Sequence, residues 1–176
     1  MNVALRRPSL SVFTLVCPFL LVAGELKPTA LKPGDAFPAL ERFQLEGTPP
    51  DTRGAKVVLV DFWASWCAPC KQSFATLNRL QKKFGSQGLT IIAVNVDAKP
   101  ANMARFLAKN RAEFPVVRDS GQKLVATLAV QTLPTSLLLD EDGKVRHIHS
   151  GFREDETPQQ YEREIAGLLG ASHRTP

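Results

Sequence analysis

The stretch that decides the fold is VDFWASWCAPCK, residues 60–71. It places two cysteines, Cys67 and Cys70, two residues apart behind an apolar run that is rich in aromatic residues. Such a pair can bind zinc, close a structural disulfide, or exchange electrons with the thiols of another protein. The rest of the chain has to discriminate between these three chemistries.

Length and composition bound the class of protein. The chain has 176 residues, of which 44% are hydrophobic and 22% charged, which suits one globular domain with its own core. The formal net charge is +5, but the sequence has no long basic run and no aromatic residues interleaved with basic ones. We therefore expect no nucleic-acid partner.

The first 24 residues have the pattern of a secretory signal peptide. Arg6 and Arg7 precede an apolar run over residues 10–23, which ends in small residues. Pro18 interrupts this run, which is shorter than the roughly 20 residues that a membrane-spanning helix needs. We therefore expect export to the periplasm, an oxidising compartment, with an uncleaved N-terminal anchor as the alternative.

The remaining chain divides into a linker, one domain and a short tail. Residues 25–35 are rich in Lys, Pro and Gly and predict a linker, whereas residues 171–176 predict a tail. Between them, residues 36–170 predict the order β, β, α, β, α, β, α, β, β, α. The first half has the pattern of parallel crossovers and the end that of an antiparallel hairpin with a helix. The expected fold class is therefore α/β, with a mixed central sheet flanked by helices.

Several of these predicted elements have defined starts or stops. The predicted elements are a short strand near 43–45, buried strands over 56–64 and 89–97, a helix from the cysteines to Phe84, a helix from Pro100, a strand over 114–119, a short helix from Ser120, hairpin strands over 135–139 and 144–150, and a helix with Thr157 as N-cap that ends at Gly170.

The position of the cysteines favours exchange chemistry over a structural disulfide. Cys67 follows a buried strand and begins a helix, where unpaired N–H groups and the positive helix end favour its thiolate. Cys70 lies one turn later and can attack a mixed disulfide on Cys67. Pro69 is tolerated in the first helical turn. Because a disulfide this short closes a tiny loop, it would stabilise the fold little. We expect an exposed attacking thiol and a shielded resolving thiol.

Zinc binding lacks ligands. A zinc site needs about four, and the only candidates outside the cysteine pair are His147 and His149. Their i, i+2 spacing places them on one strand face, where they are interpreted as solvent-facing. We expect no metal site, and no cofactor apart from the redox-active cysteine pair itself.

With the later tetrapeptide TLPT, residues 132–135, the stretch VDFWASWCAPC resembles the thioredoxin fold. The resemblance is strongest to the exported TlpA/ResA-like thiol–disulfide oxidoreductases, and it covers roughly residues 33–169. It implies a thioredoxin-like fold with an N-terminal strand extension. It also implies a central βα insertion over residues 96–117.

The resemblance implies roles for residues in both segments. Cys67 would be the nucleophile and Cys70 the resolving thiol. Leu133 and Pro134 would form a cis peptide bond facing the cysteines. The backbone before Pro134 would pair with the substrate peptide as a strand edge does.

Three further residues would complete the docking surface. Trp66 would lie beside the nucleophile, and Ala68 and Pro69 between the cysteines would tune the redox potential. Because this dipeptide contains no histidine, extreme stabilisation of the thiolate is not expected. We therefore expect a reductant.

The sequence differs from the pattern of this family at the acidic residue expected to exchange protons with the cysteines. Relatives often carry Glu-x-Pro after the second cysteine, whereas this chain has Ser73 and Ala75 there. Asp61 instead occupies the place of the buried acid of thioredoxin. Burial should raise its pKa and suit it to act as general acid or base for Cys70. A strand aspartate without any such duty is the alternative.

The expected function is therefore reduction of protein disulfides in the periplasm, in cytochrome c maturation or at metal-site thiols. Electrons would come from a membrane-borne donor. A non-catalytic thioredoxin-like binding module or a metallochaperone partner is the alternative. A peroxidase is disfavoured, because Ala64 and Val60 occupy the places where that chemistry needs Thr or Ser and Pro.

Overall fold

The computed structural model describes residues 28–171, so the predicted signal peptide at residues 1–24 lies outside the described residues. The elements are β1 Val57–Trp63, α1 Ala68–Phe84, β2 Leu89–Asn95, α2 Pro100–Leu107, β3 Val116–Arg118, α3 Lys123–Thr127, β4 Thr135–Asp140, β5 Val145–Ser150 and α4 Thr157–Ala171. Short 3₁₀ turns lie at Leu40–Arg42 and Gly85–Gln87. Within residues 28–171, no helix has the length and apolar character needed to cross a membrane.

The five strands form one mixed sheet in the order β3-β2-β1-β4-β5. β1 is parallel to β2 and antiparallel to β4, so it lies at the centre. β3 extends the parallel side and β5 the antiparallel side. The mixed sheet and the terminal hairpin predicted from the sequence are confirmed.

All seven residues of β1 are buried, as the near-continuous apolar run predicts for a strand covered on both faces. Because side chains alternate along a strand, Asp61 and Trp63 point to the same face. Trp63 packs edge-on against Phe74 of α1, with 4.7 Å between the ring centroids. This face of β1 is therefore the one that α1 covers.

Aromatic packing joins the helices on that face. Phe106 of α2 lies 4.7 Å from the Trp63 ring and 5.1 Å from that of Phe74. α4 lies beside α1, where Lys83 Nζ is 2.8 Å from Glu162 Oε2. One helical layer thus seals the α1 side of the central strand.

The segment before β1 differs from the predicted strand near residues 43–45. It forms the 3₁₀ turn Leu40–Arg42 and then contacts the sheet at a single bridge, in which the backbone of Glu46 pairs with that of Arg118. Gln44 and Gly47 adopt positive φ angles of 24° and 96°, which an extended strand cannot accommodate. The N-terminal extension is therefore a loop that is hydrogen-bonded to the sheet, and not a strand.

Part of the predicted linker is attached to the sheet. The backbone N–H of Gly34 donates to the carbonyl of Val145 at 2.7 Å. The N–H of Val145 in turn donates to the carbonyl of Asp35 at 2.8 Å. Residues 34 and 35 therefore continue the hydrogen bonding of β5 at the edge of the sheet.

Two helix starts differ from the prediction. α3 begins at Lys123 and not at Ser120, because the Asp119 carboxylate accepts from the N–H groups of Lys123 and Val125. At α4, the Thr157 hydroxyl accepts from the N–H of Arg153, so Thr157 closes the preceding turn and does not act as the N-cap.

Of the two predicted helix ends, that of α1 is confirmed and that of α4 differs by one residue. α1 ends at Phe84, as predicted. α4 continues past the predicted stop at Gly170 to Ala171.

Candidate redox site

Cys67 and Cys70 are joined by a disulfide at the start of α1. Cys67 is the N-cap residue, and its Sγ accepts from the backbone N–H of Cys70 at 3.2 Å. Pro69 lies in the first turn, where no intrahelical partner for an N–H is needed. The same N–H would stabilise a thiolate on Cys67 in the reduced protein.

Cys67, the predicted attacking residue, is less exposed than the sequence predicted. Cys67 is 6% exposed and Cys70 is fully buried. The predicted asymmetry is therefore present but small, and Cys67 lines a surface groove. A client would have to present its disulfide to that groove.

The loop that carries the cysteines is anchored by Asp97, which the sequence reasoning missed. Its carboxylate accepts from the backbone N–H of Ser65 at 3.1 Å and from the Ser65 hydroxyl at 3.1 Å. Asn95, the last residue of β2, donates to the same carboxylate at 2.9 Å. The signal was the pair of polar residues at the end of a buried strand parallel to β1, because such strand ends meet at one sheet edge.

Most of the predicted docking residues line an open groove of about 620 Å³, whereas Pro134 is not among its lining residues. Trp66 lines this groove and is 72% exposed. The groove is lined by the predicted residues Trp66, Cys67, Ala68, Pro69 and Leu133, joined by Val96, Gln122, Val125, Val130, Gln131 and Thr132. Leu133 and Pro134 are joined by a cis peptide bond, as expected from the resemblance.

Asp61 is fully buried in the centre of the sheet. Its Oδ1 accepts from the Ser136 hydroxyl at 2.5 Å, whereas Oδ2 has no hydrogen-bond partner within residues 28–171. Burial raises the pKa of Asp61 from 3.8 to about 7, and the hydrogen bond from Ser136 opposes this rise. A group with this pKa can both give and take a proton near neutral pH.

The Asp61 carboxyl and Cys70 lie in the same buried layer. Asp61 points to the α1 side of β1, as Trp63 does, and Trp63 packs on Phe74, one helical turn after Cys70. Ser73 is buried and donates to the carbonyl of Cys70 at 2.9 Å. Within residues 28–171, Asp61 is thus a fully buried carboxyl on the face of β1 that α1 covers with Cys70.

The two histidines of β5 are not simply solvent-facing. His149 Nε2 lies 2.6 Å from Glu164 Oε2, and His147 Nδ1 lies 3.4 Å from Glu164 Oε1. The interpretation as solvent-facing residues is therefore wrong for His149, whose side chain is only 13% exposed. In the described part of the chain, no group of three or more His, Cys, Asp or Glu residues could hold a metal ion.

A mixed sheet, a disulfide at the start of a helix and a cis Leu133–Pro134 bond whose Leu133 lines the same groove as Cys67 together define a thioredoxin-fold redox protein. Residues 32–165 match the family described as Redoxin. The chain therefore belongs to the Redoxin family, as a relative of the ResA-type thiol–disulfide oxidoreductases.

Individual relatives agree with this assignment. The thiol–disulfide oxidoreductase ResA of Bacillus thuringiensis (strain Al Hakam) is 36% identical over 115 residues, which are 65% of this chain and 66% of that protein, slightly under two thirds. ResA of Geobacillus thermodenitrificans is 34% identical over 136 residues, 76% of this chain and 78% of that protein.

A solved structure confirms the thioredoxin-like fold. The structure is that of a candidate thiol:disulfide interchange protein DsbE from Chlorobium tepidum, which is 39% identical. It matches with a TM-score of 0.73 over 80% of this chain and 99% of that one.

The buried carboxyl predicts an unusual pH dependence of stability. Because the pKa of Asp61 is higher in the folded than in the unfolded protein, the free energy of unfolding falls as pH rises from about 4 to about 7. Replacing Asp61 by Asn removes this loss. Between pH 5 and pH 7 the stability of Asp61→Asn relative to the wild type should therefore rise by about 2–3 kcal/mol. Urea unfolding of the oxidised proteins measures it.

The exposed Asp142 supplies the matched control for this experiment. Asp142→Asn makes the same chemical change at the surface, away from the buried layer, and is the reference against which the stabilities of Asp61→Asn at pH 5 and pH 7 are compared. A relative stability of Asp61→Asn that is the same at pH 5 and pH 7 would show that burial does not hold the proton on Asp61.

Proposed function

We propose that the protein is a thiol–disulfide oxidoreductase that reduces disulfide bonds of other proteins. The observation that carries the proposal is the Cys67–Cys70 disulfide at the start of α1, with Cys70 enclosed and Cys67 at the edge of the groove. This geometry separates an accessible attacking sulfur from a protected resolving one. Such a separation is what two-step thiol–disulfide exchange requires.

The proposed reaction starts from the reduced dithiol. The Cys67 thiolate attacks one sulfur of the client disulfide, and the other client sulfur leaves as a thiolate. Cys70 then loses its proton and attacks Cys67, so that the second client sulfur leaves with its electron pair. The client gains two electrons and, after protonation, two thiols. The protein is left with the Cys67–Cys70 disulfide.

Asp61 is the proposed acceptor of the Cys70 proton. It lies in the same buried layer as Cys70, and its Oδ2 has no competing partner in residues 28–171. With a pKa of about 7, the carboxyl is ionised in a large fraction of molecules at neutral pH. The proton would move from the Cys70 thiol to Asp61 as Cys70 attacks Cys67.

The direction, place and partners of the reaction are part of the proposal. The Ala68–Pro69 dipeptide between the cysteines contains no histidine, which supports a reducing role. The basic and apolar pattern of residues 1–24 supports a periplasmic location. Electrons would reach the protein from a membrane-borne donor. Proposed clients are exported proteins with oxidised cysteine pairs, such as the haem-binding thiols of apocytochrome c or the thiols of copper sites.

The activity is tested by reduction of insulin disulfides and by trapping. Reduced wild-type protein should reduce insulin, and Cys67→Ser should not, because the attacking sulfur is absent. Cys70→Ser should accumulate a mixed disulfide through Cys67, since nothing resolves it. Mass spectrometry of trapped complexes from periplasmic extracts then identifies the client.

A thiol-specific reagent controls for the state of the cysteines. If the reduced wild type leaves insulin intact while both cysteines still react with the reagent, the protein is a binding module and the proposed activity is wrong. Cys67→Ser with Cys70 retained separates attack by Cys67 from unspecific thiol reactivity.

The role of Asp61 is tested by the pH dependence of a single turnover. In the wild type, the rate at which Cys70 resolves the mixed disulfide should rise as pH passes through about 7, because Asp61 ionises there. Asp61→Asn should lose this rise and resolve about 10²-fold more slowly, the lower end of general-base contributions. Stopped-flow tryptophan fluorescence follows the reaction, because Trp66 borders the disulfide. An unchanged rate profile in Asp61→Asn would remove the carboxyl from the mechanism.

A further inference from the structure

A chain of buried hydroxyl groups ends on Asp61. The Tyr161 hydroxyl on α4 donates to Ser136 Oγ at 2.7 Å, and the Ser136 hydroxyl donates to Asp61 Oδ1 at 2.5 Å. Ser136 stands directly opposite Asp61 in the pairing of β4 with β1. All three residues are fully buried. The proposed reaction assigns no role to either hydroxyl.

We propose that Ser136 and Tyr161 are positioning residues that hold Oδ1 of Asp61 and reserve Oδ2 for proton exchange with the Cys70 thiol. This inference rests on the proposed function, because it concerns how the proposed proton acceptor is oriented. It names two residues on separate elements that the cysteine motif itself does not include.

The donors and acceptors of the chain explain why one oxygen is reserved. A serine hydroxyl has one proton to donate and accepts through its lone pairs. Ser136 gives its proton to Asp61 and accepts from Tyr161, so its donor is used. Oδ2 of Asp61 is the carboxyl oxygen without a partner in residues 28–171. The carboxyl can therefore gain or lose a proton at Oδ2 without any change in the two hydroxyl bonds.

Tyr161 is itself fixed in place and stays neutral. The His149 ring packs edge-on against it, with 4.8 Å between centroids and 84° between the ring planes. His149 is in turn held by Glu164, one helical turn after Tyr161. Burial and the nearby Asp61 and Glu164 charges raise the pKa of Tyr161, so the phenol keeps its proton throughout the working range. Tyr161 thus serves only as a donor.

The groups around Asp61 decide whether a shift in its pKa can be assigned to Ser136. Among the described residues, Tyr161 on α4 is the titratable group linked to Asp61 through Ser136, and Glu164 and His149 lie behind it. Cys70 lies on α1, which covers the same face of β1. The two influences on the Asp61 pKa are burial, which raises it, and the Ser136 hydrogen bond, which lowers it. Removal of the Ser136 hydroxyl should therefore act on Asp61 directly.

In the step that the two hydroxyls support, the Cys70 thiol gives its proton to Asp61 Oδ2. The electron pair left on the Cys70 sulfur forms the bond to the Cys67 sulfur. The bond between Cys67 and the client breaks, and the client sulfur leaves with that bonding pair. Electrons move from the dithiol to the client, and no further reactant is needed.

The test compares Ser136→Ala, Tyr161→Phe and the double variant with the wild type. Loss of the hydrogen bond to Oδ1 should move the pH midpoint of the resolution rate upward by about 0.5–1 pH unit in Ser136→Ala. Tyr161→Phe should shift it less and in the same direction. Because Tyr161 acts through Ser136, the double variant should match Ser136→Ala.

Thr157→Val is the matched control, since it removes a buried hydroxyl from α4 that bonds to the backbone N–H of Arg153. This variant should leave the pH midpoint unchanged even where it lowers stability. Folding of every variant is checked by circular dichroism before the rates are measured.

A second readout separates this inference from the proposed function. Carbon-13 NMR of the Asp61 carboxyl in the oxidised protein reports its titration without any client. The same upward shift in Ser136→Ala supports the positioning role even if the wild type fails to reduce insulin. A folded Ser136→Ala protein that titrates and reacts with the wild-type midpoint would overturn it.

Discussion

The carboxyl of Asp61 is buried at the centre of the sheet, with a hydrogen bond to only one of its two oxygens among the described residues. A carboxylate in such a place lacks the solvation that water provides, so the fold favours its protonated form. The residues before and after Asp61 in β1 are apolar and buried in the core. Asp61 therefore cannot become exposed without disrupting that core. Replacement by an apolar residue would relieve the cost, which is why a function for the group is the natural explanation.

The sheet brings the reacting groups together from opposite directions. β1 carries Asp61 and leads into the cysteine loop, and α1 then returns over the same face with Cys70 on its buried side. Asp97 at the end of β2 fixes that loop through Ser65. The redox pair is therefore anchored to the centre of the sheet, while Trp66 stays exposed beside it. In the proposed reaction, the client would be attacked at the groove, and the proton would pass to Asp61 on the buried side of the same disulfide.

Much of this arrangement could be predicted because it is local in sequence. The strand, the cysteine pair and the helix start lie within a few residues of each other, and their patterns do not depend on distant contacts. Asp61 could be predicted for the same reason, since a charged residue in an apolar strand is recognisable from the sequence alone. The loop before β1 was not, because positive φ angles at Gln44 and Gly47 override its strand-like composition.

The parts that escaped prediction depend on pairings between distant residues. Ser136 lies 75 residues after Asp61, and it meets the carboxyl only through the register of β4 against β1. Tyr161 lies on α4, and its hydroxyl reaches Ser136 only because α4 packs on the sheet. Asp97 similarly needed the parallel alignment of β1 and β2. The registers of β4 and β2 against β1, together with the packing of α4, therefore determine which polar groups lie near Asp61 and the cysteine loop.

The central claim is that Asp61 holds a proton near neutral pH and exchanges it when the disulfide reacts. Redox-difference infrared spectroscopy tests it most directly, because it detects a carboxyl group whose protonation or surroundings change between the oxidised and reduced protein. The account predicts a protonated-carboxyl band in the difference spectrum below pH 7 that fades as pH rises above about 7. It also predicts that the band is absent from Asp61→Asn. A difference spectrum without a carboxyl band, or a band that persists in Asp61→Asn, would contradict the account.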